Sequence, residues 1–200
     1  MGQRLCVTIV KDKRDLAKLY YHWSGYTYNA LYETRNIIDC IYSHQDETEK
    51  DLQLRLIRFC EENGGGITCT KEYHEHEYIQ NLFPNETFKT EDVGRSNGLI
   101  AISEKGMLGM QRWSEGDVYI NLDEGQVDFC VYCGYENLTE YIEERKSWDE
   151  DFDEKELVIP EFDFDLGYFD VNDIDAIIAS LDTTDAHIIK CNGEICEIIE

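Results

Sequence analysis

Residues 4–23, RLCVTIVKDKRDLAKLYYHW, contain two runs that are rich in β-branched and aromatic side chains. The runs at 4–10 and 18–23 lie on either side of the polar segment KDKRD. Such runs favour strands, and a short polar connection between them favours a hairpin. The stretch therefore predicts an antiparallel hairpin from which the sheet is built.

Two helical patterns follow the hairpin. Residues 27–42 predict a helix with one apolar face. The stretch DETEKDLQLRLIRFCEENGGG, residues 46–66, predicts a second helix, with Asp46 as the N-cap and Glu49 in capping-box spacing. The glycines at 64–66 are expected to end it. The predicted inward positions are Leu31, Ile37, Ile38, Ile41, Leu52, Leu56, Ile57, Phe59 and Cys60.

The middle of the chain indicates a meander. Residues 67–96 have a mixed pattern. Short apolar runs at 98–103, 108–113, 117–122 and 126–133 are then joined by turn-rich links. This arrangement predicts a series of antiparallel strands.

Three elements are predicted in the last third of the chain. Asn137 starts one helix, and Asp170 caps another helix with an apolar inward face. Asn192-Gly193 predicts a type I′ hairpin, whose register would pair Cys191 with Glu194 and Cys196 with Ile189. The inward positions of the helix after Asp170 are Val171, Ile174, Ile177, Ile178 and Leu181.

Together these elements predict an α+β fold, in which an antiparallel sheet of hairpins and a meander packs with three to four helices. The 200 residues are enough for a single compact domain with a substantial core. The glycines at 64–66 offer an alternative boundary, which would divide the chain into 1–66 and 67–200.

The chain is strongly acidic, with 43 Asp and Glu against 18 Lys and Arg and a formal net charge of −25. Residues 1–50 hold seven acids and seven bases, whereas residues 151–200 hold fifteen and two. Such a potential repels nucleic acid and anionic membranes and attracts basic protein surfaces. Because no apolar run resembles a signal peptide or a membrane span, the protein is expected to be cytoplasmic, with reduced cysteines.

No pattern of residues indicates an enzyme. The five histidines lie in unrelated contexts, and the sequence contains no nucleophile elbow, phosphate loop or dinucleotide fingerprint. The protein is therefore expected to be non-enzymatic and to act by binding.

A metal site is an alternative interpretation of the cysteines and histidines. Cys60, Cys69, His74 and His76 are ligand types that suit zinc, and in an extended strand the two histidines would share a face. Their spacing matches no standard finger, and solvated histidines with buried thiols would explain the same residues. The CVYC segment at 130–133 lies within a predicted strand, which favours packing cysteines over a ligand pair.

The acidic run at 149–165 is the predicted binding surface. Its first half is a dense cluster of acids, whereas in its second half acids alternate with Phe162, Phe164 and Leu166. A strand there would bury the apolar side chains and expose the carboxylates. An ordinary solvated face would explain the same charges. The predicted partner-binding residues are Asp149, Glu150, Asp151, Asp153, Glu154, Glu161, Asp163 and Asp165.

With these features the chain resembles the small acidic proteins by which bacteriophages and prophages disarm host defences, and among them the anti-CRISPR inhibitors of Cas9. The resemblance is carried by the compact acidic chain, by MGQRLCVTIVKD at its start and by the acidic run. It implies a nucleic-acid mimic, cytoplasmic in a bacterial host cell, that binds a basic surface of Cas9 with or without guide RNA. Such binding would block DNA recognition or cleavage. The alternative is a small prophage interaction domain stabilised by a Cys/His metal site.

Overall fold

The computed structural model describes residues 4–25, 27–44, 48–93, 98–131, 147, 166–182, 188–191 and 194–197. The strands in these ranges are β1 Leu5–Lys11, β2 Arg14–Tyr21, β3 Gly66–Thr68, β4 Thr90–Glu91, β5 Leu99–Ala101, β6 Gly116–Asn121, β7 Gln126–Val131, β8 Gly167–Asp170, β9 Ile188–Cys191 and β10 Glu194–Glu197. The α-helices are α1 Thr27–Tyr42, α2 Glu49–Glu62, α3 Glu75–Leu82, α4 Glu104–Gln111 and α5 Ile174–Asp182.

The opening hairpin is present, and its turn is tighter than KDKRD suggests. Strands β1 and β2 pair from Leu5 opposite Tyr21 to Lys11 opposite Arg14, which leaves only Asp12 and Lys13 in the turn. Both turn residues have positive φ angles, 52° and 61°, as a type I′ turn requires. The Asp123 carboxylate accepts hydrogen bonds from both turn amides at 2.9 Å, which stabilises this uncommon conformation.

Eight strands form one sheet in the order β4-β3-β5-β2-β1-β6-β7-β8. The α+β class is confirmed, but the sheet is mixed rather than antiparallel, because β1 pairs in parallel with β6 and β3 in parallel with both β4 and β5. The predicted strand at 108–113 is wrong, since most of it lies in α4. Ser103 caps this helix by accepting from the Gly106 amide at 3.0 Å, so the chain leaves the sheet where a meander would continue. The described residues contain five α-helices, one more than the predicted upper number.

Helices cover both faces of the sheet. The larger core lies between one face and α1, α2 and α5, and it includes Leu5, Val7 and Ile9 of the central strand. The predicted helix 27–42 is confirmed with the same bounds, and its four predicted inward residues are all buried. On the other face, α4 packs Met107 and Met110 against a smaller cluster. Alternate side chains of β1 therefore serve two cores.

The predicted cap of α2 is wrong by two residues. Thr48, not Asp46, is the N-cap, and it forms a reciprocal capping box with Asp51 rather than with Glu49. The Asp46–Glu49 pair and the Thr48–Asp51 pair both have the three-residue spacing of a capping box. Because the helix begins at Glu49, Asp51 occupies N3. Asp46 itself lies outside the described residues.

The C-terminal predictions are partly confirmed. Asp170 accepts from the Asn172 amide at 2.9 Å at the start of a 3₁₀ turn, Val171–Asp173, which leads into α5. Strands β9 and β10 have the predicted register, with Cys191 opposite Glu194 and Cys196 opposite Ile189. The helix predicted at Asn137 and the Asn192-Gly193 turn lie outside the described residues.

The three glycines connect α2 directly to the sheet. Asn63 is the C-cap of α2, and Gly64 has a positive φ of 88°. Gly66 opens β3, whose neighbour β5 pairs with β2 of the opening hairpin. Strands from both sides of the glycine segment thus belong to one sheet.

Candidate functional site

The outer side of β6, β7 and β8 carries a regular polar surface. Burial alternates along β6, where Val118 and Ile120 are buried while Asp117 and Tyr119 are half-buried. The same alternation exposes one side of β7 and β8. Because side chains on a strand point to opposite faces in turn, the acids and tyrosines share the face away from the larger core.

Strand register places three carboxylates of this face on a diagonal. Asp128 of β7 lies opposite Tyr119 on β6 and opposite Tyr168 on β8. Asp117 lies two residues before Tyr119, and Asp170 lies two residues after Tyr168. Diagonal neighbours in antiparallel strands are about 7–8 Å apart. We call Asp117, Tyr119, Asp128, Tyr168 and Asp170 the acidic sheet face.

Hydrogen bonds hold each of these carboxylates in place. Asp117 Oδ1 accepts from Gln111 Nε2 at 2.7 Å and from Ser114 Oγ at 2.9 Å. Asp128 Oδ1 accepts from Cys130 Sγ at 3.3 Å, and Asp170 accepts from the amide that follows the strand. The negative charges therefore occupy fixed positions on a rigid sheet.

The tyrosines of the face remain neutral at physiological pH. Burial is the main cause that raises the pKa of Tyr119, and the nearby charge of Asp117 is the next largest cause. The charge of Asp128 and a hydrogen bond to its carboxylate raise the pKa of Tyr168, whose side chain is 75% exposed. The face thus combines fixed anions with an accessible, uncharged phenol.

A buried lysine lies beside the acidic sheet face. Lys18 is 4% exposed, and its Nζ donates to the side-chain oxygen of Gln111. The amide nitrogen of Gln111 in turn donates to Asp117. This bridge partly compensates the charge of Asp117, so Asp128 and Asp170 contribute most of the accessible negative potential.

The eight partner-binding residues predicted from the acidic run all lie outside the described residues, so that surface stays a prediction. Those residues are Asp149, Glu150, Asp151, Asp153, Glu154, Glu161, Asp163 and Asp165.

Sequence reasoning missed the acidic sheet face. The alternation in DVYINL and QVDFCVYC was the available signal, but only the strand register aligns the acids.

The predicted cysteine–histidine ligand set does not assemble. Cys60 is 1% exposed in the larger core, whereas Cys69, His74 and His76 are on the surface. The extended strand in which the two histidines would share a face is not formed, because His74 has a left-handed φ of 52° between a 3₁₀ turn and α3. His76 lies in the first turn of α3. The two histidines therefore do not alternate along one strand.

The surface members of that set line an open groove of about 530 Å³ together with Lys71 and Glu77. His74 Nδ1 is 3.5 Å from the carboxylate of Glu77. Within the described parts of the chain, no three His, Cys, Asp or Glu side chains are arranged to hold a metal ion.

The environments of the cysteines predict very different reactivity. Burial raises the pKa of Cys6 from 9.0 to about 12, which strongly lowers its thiolate fraction at neutral pH. Burial likewise raises the pKa of Cys60.

In native protein treated with iodoacetamide, we expect peptide mass spectrometry to find Cys69 alkylated and both buried thiols protected. A Cys69→Ser variant should lose that signal, and alkylation of Cys60 as fast as that of Cys69 would contradict the packing.

Comparisons with protein-family models, with curated proteins and with solved structures gave no significant match. None of the helices in the described ranges has the length and apolar composition that a bilayer span requires. Functional inference therefore depends on the surface chemistry of the chain.

Proposed function

We propose that this protein is a non-enzymatic inhibitor that binds a basic, nucleic-acid-binding surface of a bacterial defence nuclease of the Cas9 type. The observation that carries the proposal is the diagonal of carboxylates on the acidic sheet face of a chain with a net charge of −25. Occupying such a surface would block DNA recognition or cleavage.

The spacing of the acids supports nucleic-acid mimicry. Diagonal residue positions in antiparallel strands are about 7–8 Å apart, roughly twice the 3.4 Å axial rise per phosphate of one DNA strand. A groove lined with Lys and Arg that accepts a phosphate backbone can therefore meet a regular row of anions. Because the sheet and the hydrogen bonds fix this row, binding would cost little conformational entropy.

The exposed tyrosine indicates that the face can bind a protein partner through a ring contact as well as through its charges. Tyr168 is 75% exposed in the middle of the face, next to Asp128. Tyrosine is enriched among the residues that dominate protein interfaces, and its ring attracts Arg and Lys side chains. A basic partner would gain an ion pair and a ring contact at the same place.

The test is inhibition of DNA cleavage by purified Cas9 loaded with guide RNA. We expect inhibition by the native protein that weakens as salt concentration rises. The double variant Asp128→Lys/Asp170→Lys should raise the concentration needed for half-inhibition about tenfold or more, because two attractive contacts become repulsive. Absence of inhibition of every Cas9 tested would refute the proposed role.

A matched control separates the face from the overall charge. Asp39 of α1 and Glu62 of α2 are exposed on the opposite side of the sheet. Asp39→Lys/Glu62→Lys changes the net charge by the same amount and should leave inhibition nearly intact. Equal losses in the two double variants would show that the acidic sheet face has no special part. Reversal of Asp149, Asp151, Asp153, Asp163 and Asp165 tests the predicted acidic run in the same assay.

A further inference from the structure

Tyr168, Asp128 and Asp170 form an open group on the acidic sheet face. Tyr168 lies directly opposite Asp128 of β7, and Asp170 lies two residues further along β8, on the same side of the sheet. Because the Tyr168 side chain is 75% exposed, a side chain from another protein can reach its ring. We call these three residues the tyrosine subsite.

A hydrogen bond joins the ring of this subsite to one of its carboxylates. The Tyr168 hydroxyl group donates to the Asp128 carboxylate. Asp128 also accepts from the Cys130 thiol at 3.3 Å, which is a weak donor. A carboxylate can accept about four hydrogen bonds, so Asp128 keeps free acceptor positions beside the hydroxyl end of the ring.

No cation from the described residues occupies the tyrosine subsite. The ion pairs formed within these ranges involve other carboxylates, except that Asp128 and Asp170 take part in none of them. The rings there that have a cation above them are Phe83 and Phe88. Asp170 accepts only from Asn172, a neutral donor, among the hydrogen bonds of the described chain. The subsite therefore has a ring and two anions that are available to an external cation.

An arginine of the same chain shows what such a group can hold. Arg58 of α2 lies over the ring of Phe88, with 5.0 Å between its guanidinium carbon and the ring centroid. Its Nη1 donates to Glu61 and its Nη2 donates to Glu86, both at 2.6 Å. One guanidinium thus combines a ring contact with two carboxylates. The tyrosine subsite offers the same set of partners, one ring and two carboxylates, without the guanidinium.

We propose that the tyrosine subsite binds one arginine side chain of the basic partner, with the guanidinium on the Tyr168 ring and its N–H groups directed to Asp128 and Asp170. The two acids occupy diagonal positions about 7–8 Å apart, which leaves room for a guanidinium that donates on both sides at about 2.8 Å. This inference rests on the proposed function, because it names the side chain by which the partner is recognised.

The chemistry of the subsite favours arginine over lysine. A guanidinium is planar, stacks on an aromatic ring and donates hydrogen bonds in its own plane. An ammonium has no plane to stack and is more strongly hydrated. Lysine would therefore gain the attraction of the carboxylates but lose most of the ring contact.

Fluorescence anisotropy with labelled hexa-arginine and hexa-lysine peptides tests this preference on the full chain. The two peptides carry equal charge, so the ratio of their dissociation constants separates guanidinium recognition from general attraction to an acidic protein. We expect hexa-arginine to bind more tightly than hexa-lysine. Tyr168→Ala should lower this preference about threefold, because the ring contact is lost while every carboxylate remains.

Tyr78 of α3 supplies the matched control, because it is 48% exposed and lies outside the acidic sheet face. Tyr78→Ala should leave the preference unchanged, and Tyr168→Phe should retain most of it because the ring is kept. An unchanged preference in Tyr168→Ala, or an equal decrease in Tyr78→Ala, would overturn the inference. Thermal unfolding of each variant checks that the fold is unchanged.

The peptide assay contains no nuclease, so it can fail independently of the proposed function. Inhibition of Cas9 together with an unchanged preference in Tyr168→Ala would refute the arginine subsite alone. The expected decrease in that variant, without inhibition of any Cas9 tested, would refute the inhibitor role and support arginine recognition by this face.

Discussion

Replacing Gly65 by alanine is expected to destabilise the protein by about 3 kcal/mol, at the upper end of the usual cost of overpacking. A Cβ atom at this position would lie 1.7 Å from the carbonyl oxygen of Gly98 and 3.1 Å from that of Cys60. Both contacts are with backbone, so no side-chain rotation can relieve them. The Gly98 carbonyl also accepts from the Gly66 amide at 3.0 Å, and this bond fixes the strand entry.

Urea unfolding measures this effect, and Gly125 supplies the control. Gly125 has a positive φ of 66°, but a Cβ there would have no atom within 4 Å. Gly125→Ala should therefore cost only the backbone strain, about 1–2 kcal/mol. If Gly65→Ala is no more destabilising than Gly125→Ala, the close approach of the two backbones does not contribute to stability.

Removal of the Glu75 carboxyl group has the second large expected effect. Glu75 is 1% exposed, and its Oε1 accepts from the amides of Ile102 at 2.6 Å and Ser103 at 3.1 Å. Its Oε2 contacts the hydroxyl group of Ser103, the residue that caps α4. Glu75→Ala should leave these buried donors unpaired and cost about 3 kcal/mol in the free energy of unfolding.

The isosteric change Glu75→Gln isolates the charge from the hydrogen bonds. The glutamine oxygen can accept from both amides, and its nitrogen can donate to the Ser103 hydroxyl group, so stability near neutral pH should be almost unchanged. Urea unfolding of both variants beside the native protein makes the comparison. An equal loss in Glu75→Ala and Glu75→Gln would show that the carboxyl group is not held as described.

The same glutamate predicts a pH dependence of stability. Burial raises the pKa of Glu75 above its ordinary value of 4.5, against the opposing effect of the hydrogen bonds from Ser103 and Ile102. Between 4.5 and the raised pKa, the folded state binds more protons than the unfolded state. The stability of the native protein relative to Glu75→Gln should therefore fall as pH rises through this range. A relative stability that increases with pH there would contradict the assignment.

Local sequence determined some elements and not others. The bounds of α1 follow from its apolar periodicity, and the β9–β10 register follows from a two-residue turn, because both signals are complete within a few residues. Helix α4 contains Gly106 and Gly109, which disfavour a helix locally. A Cβ at Gly109 would lie 2.4 Å from the Tyr73 ring, so this helix depends on a close contact with a distant segment.

The candidate site was less predictable for a related reason. Strand alternation identified the exposed side of β6 and β7, but the diagonal also requires β8, which lies more than thirty residues further along the chain. The metal hypothesis places His74 and His76 on one face only if they lie in an extended strand, whereas the left-handed conformation of His74 precedes a helix there. In both cases the site depends on which residues are neighbours in space, and a short stretch of sequence does not contain that information.

The central strand β1 is enclosed on every side. It pairs with β2 on one edge and with β6 on the other from Leu5 to Val10, and Leu5, Cys6, Val7 and Ile9 are all buried. Its amide hydrogens can exchange with solvent only when the sheet itself opens. The slowest amide exchange of β1 should therefore report the free energy of global unfolding.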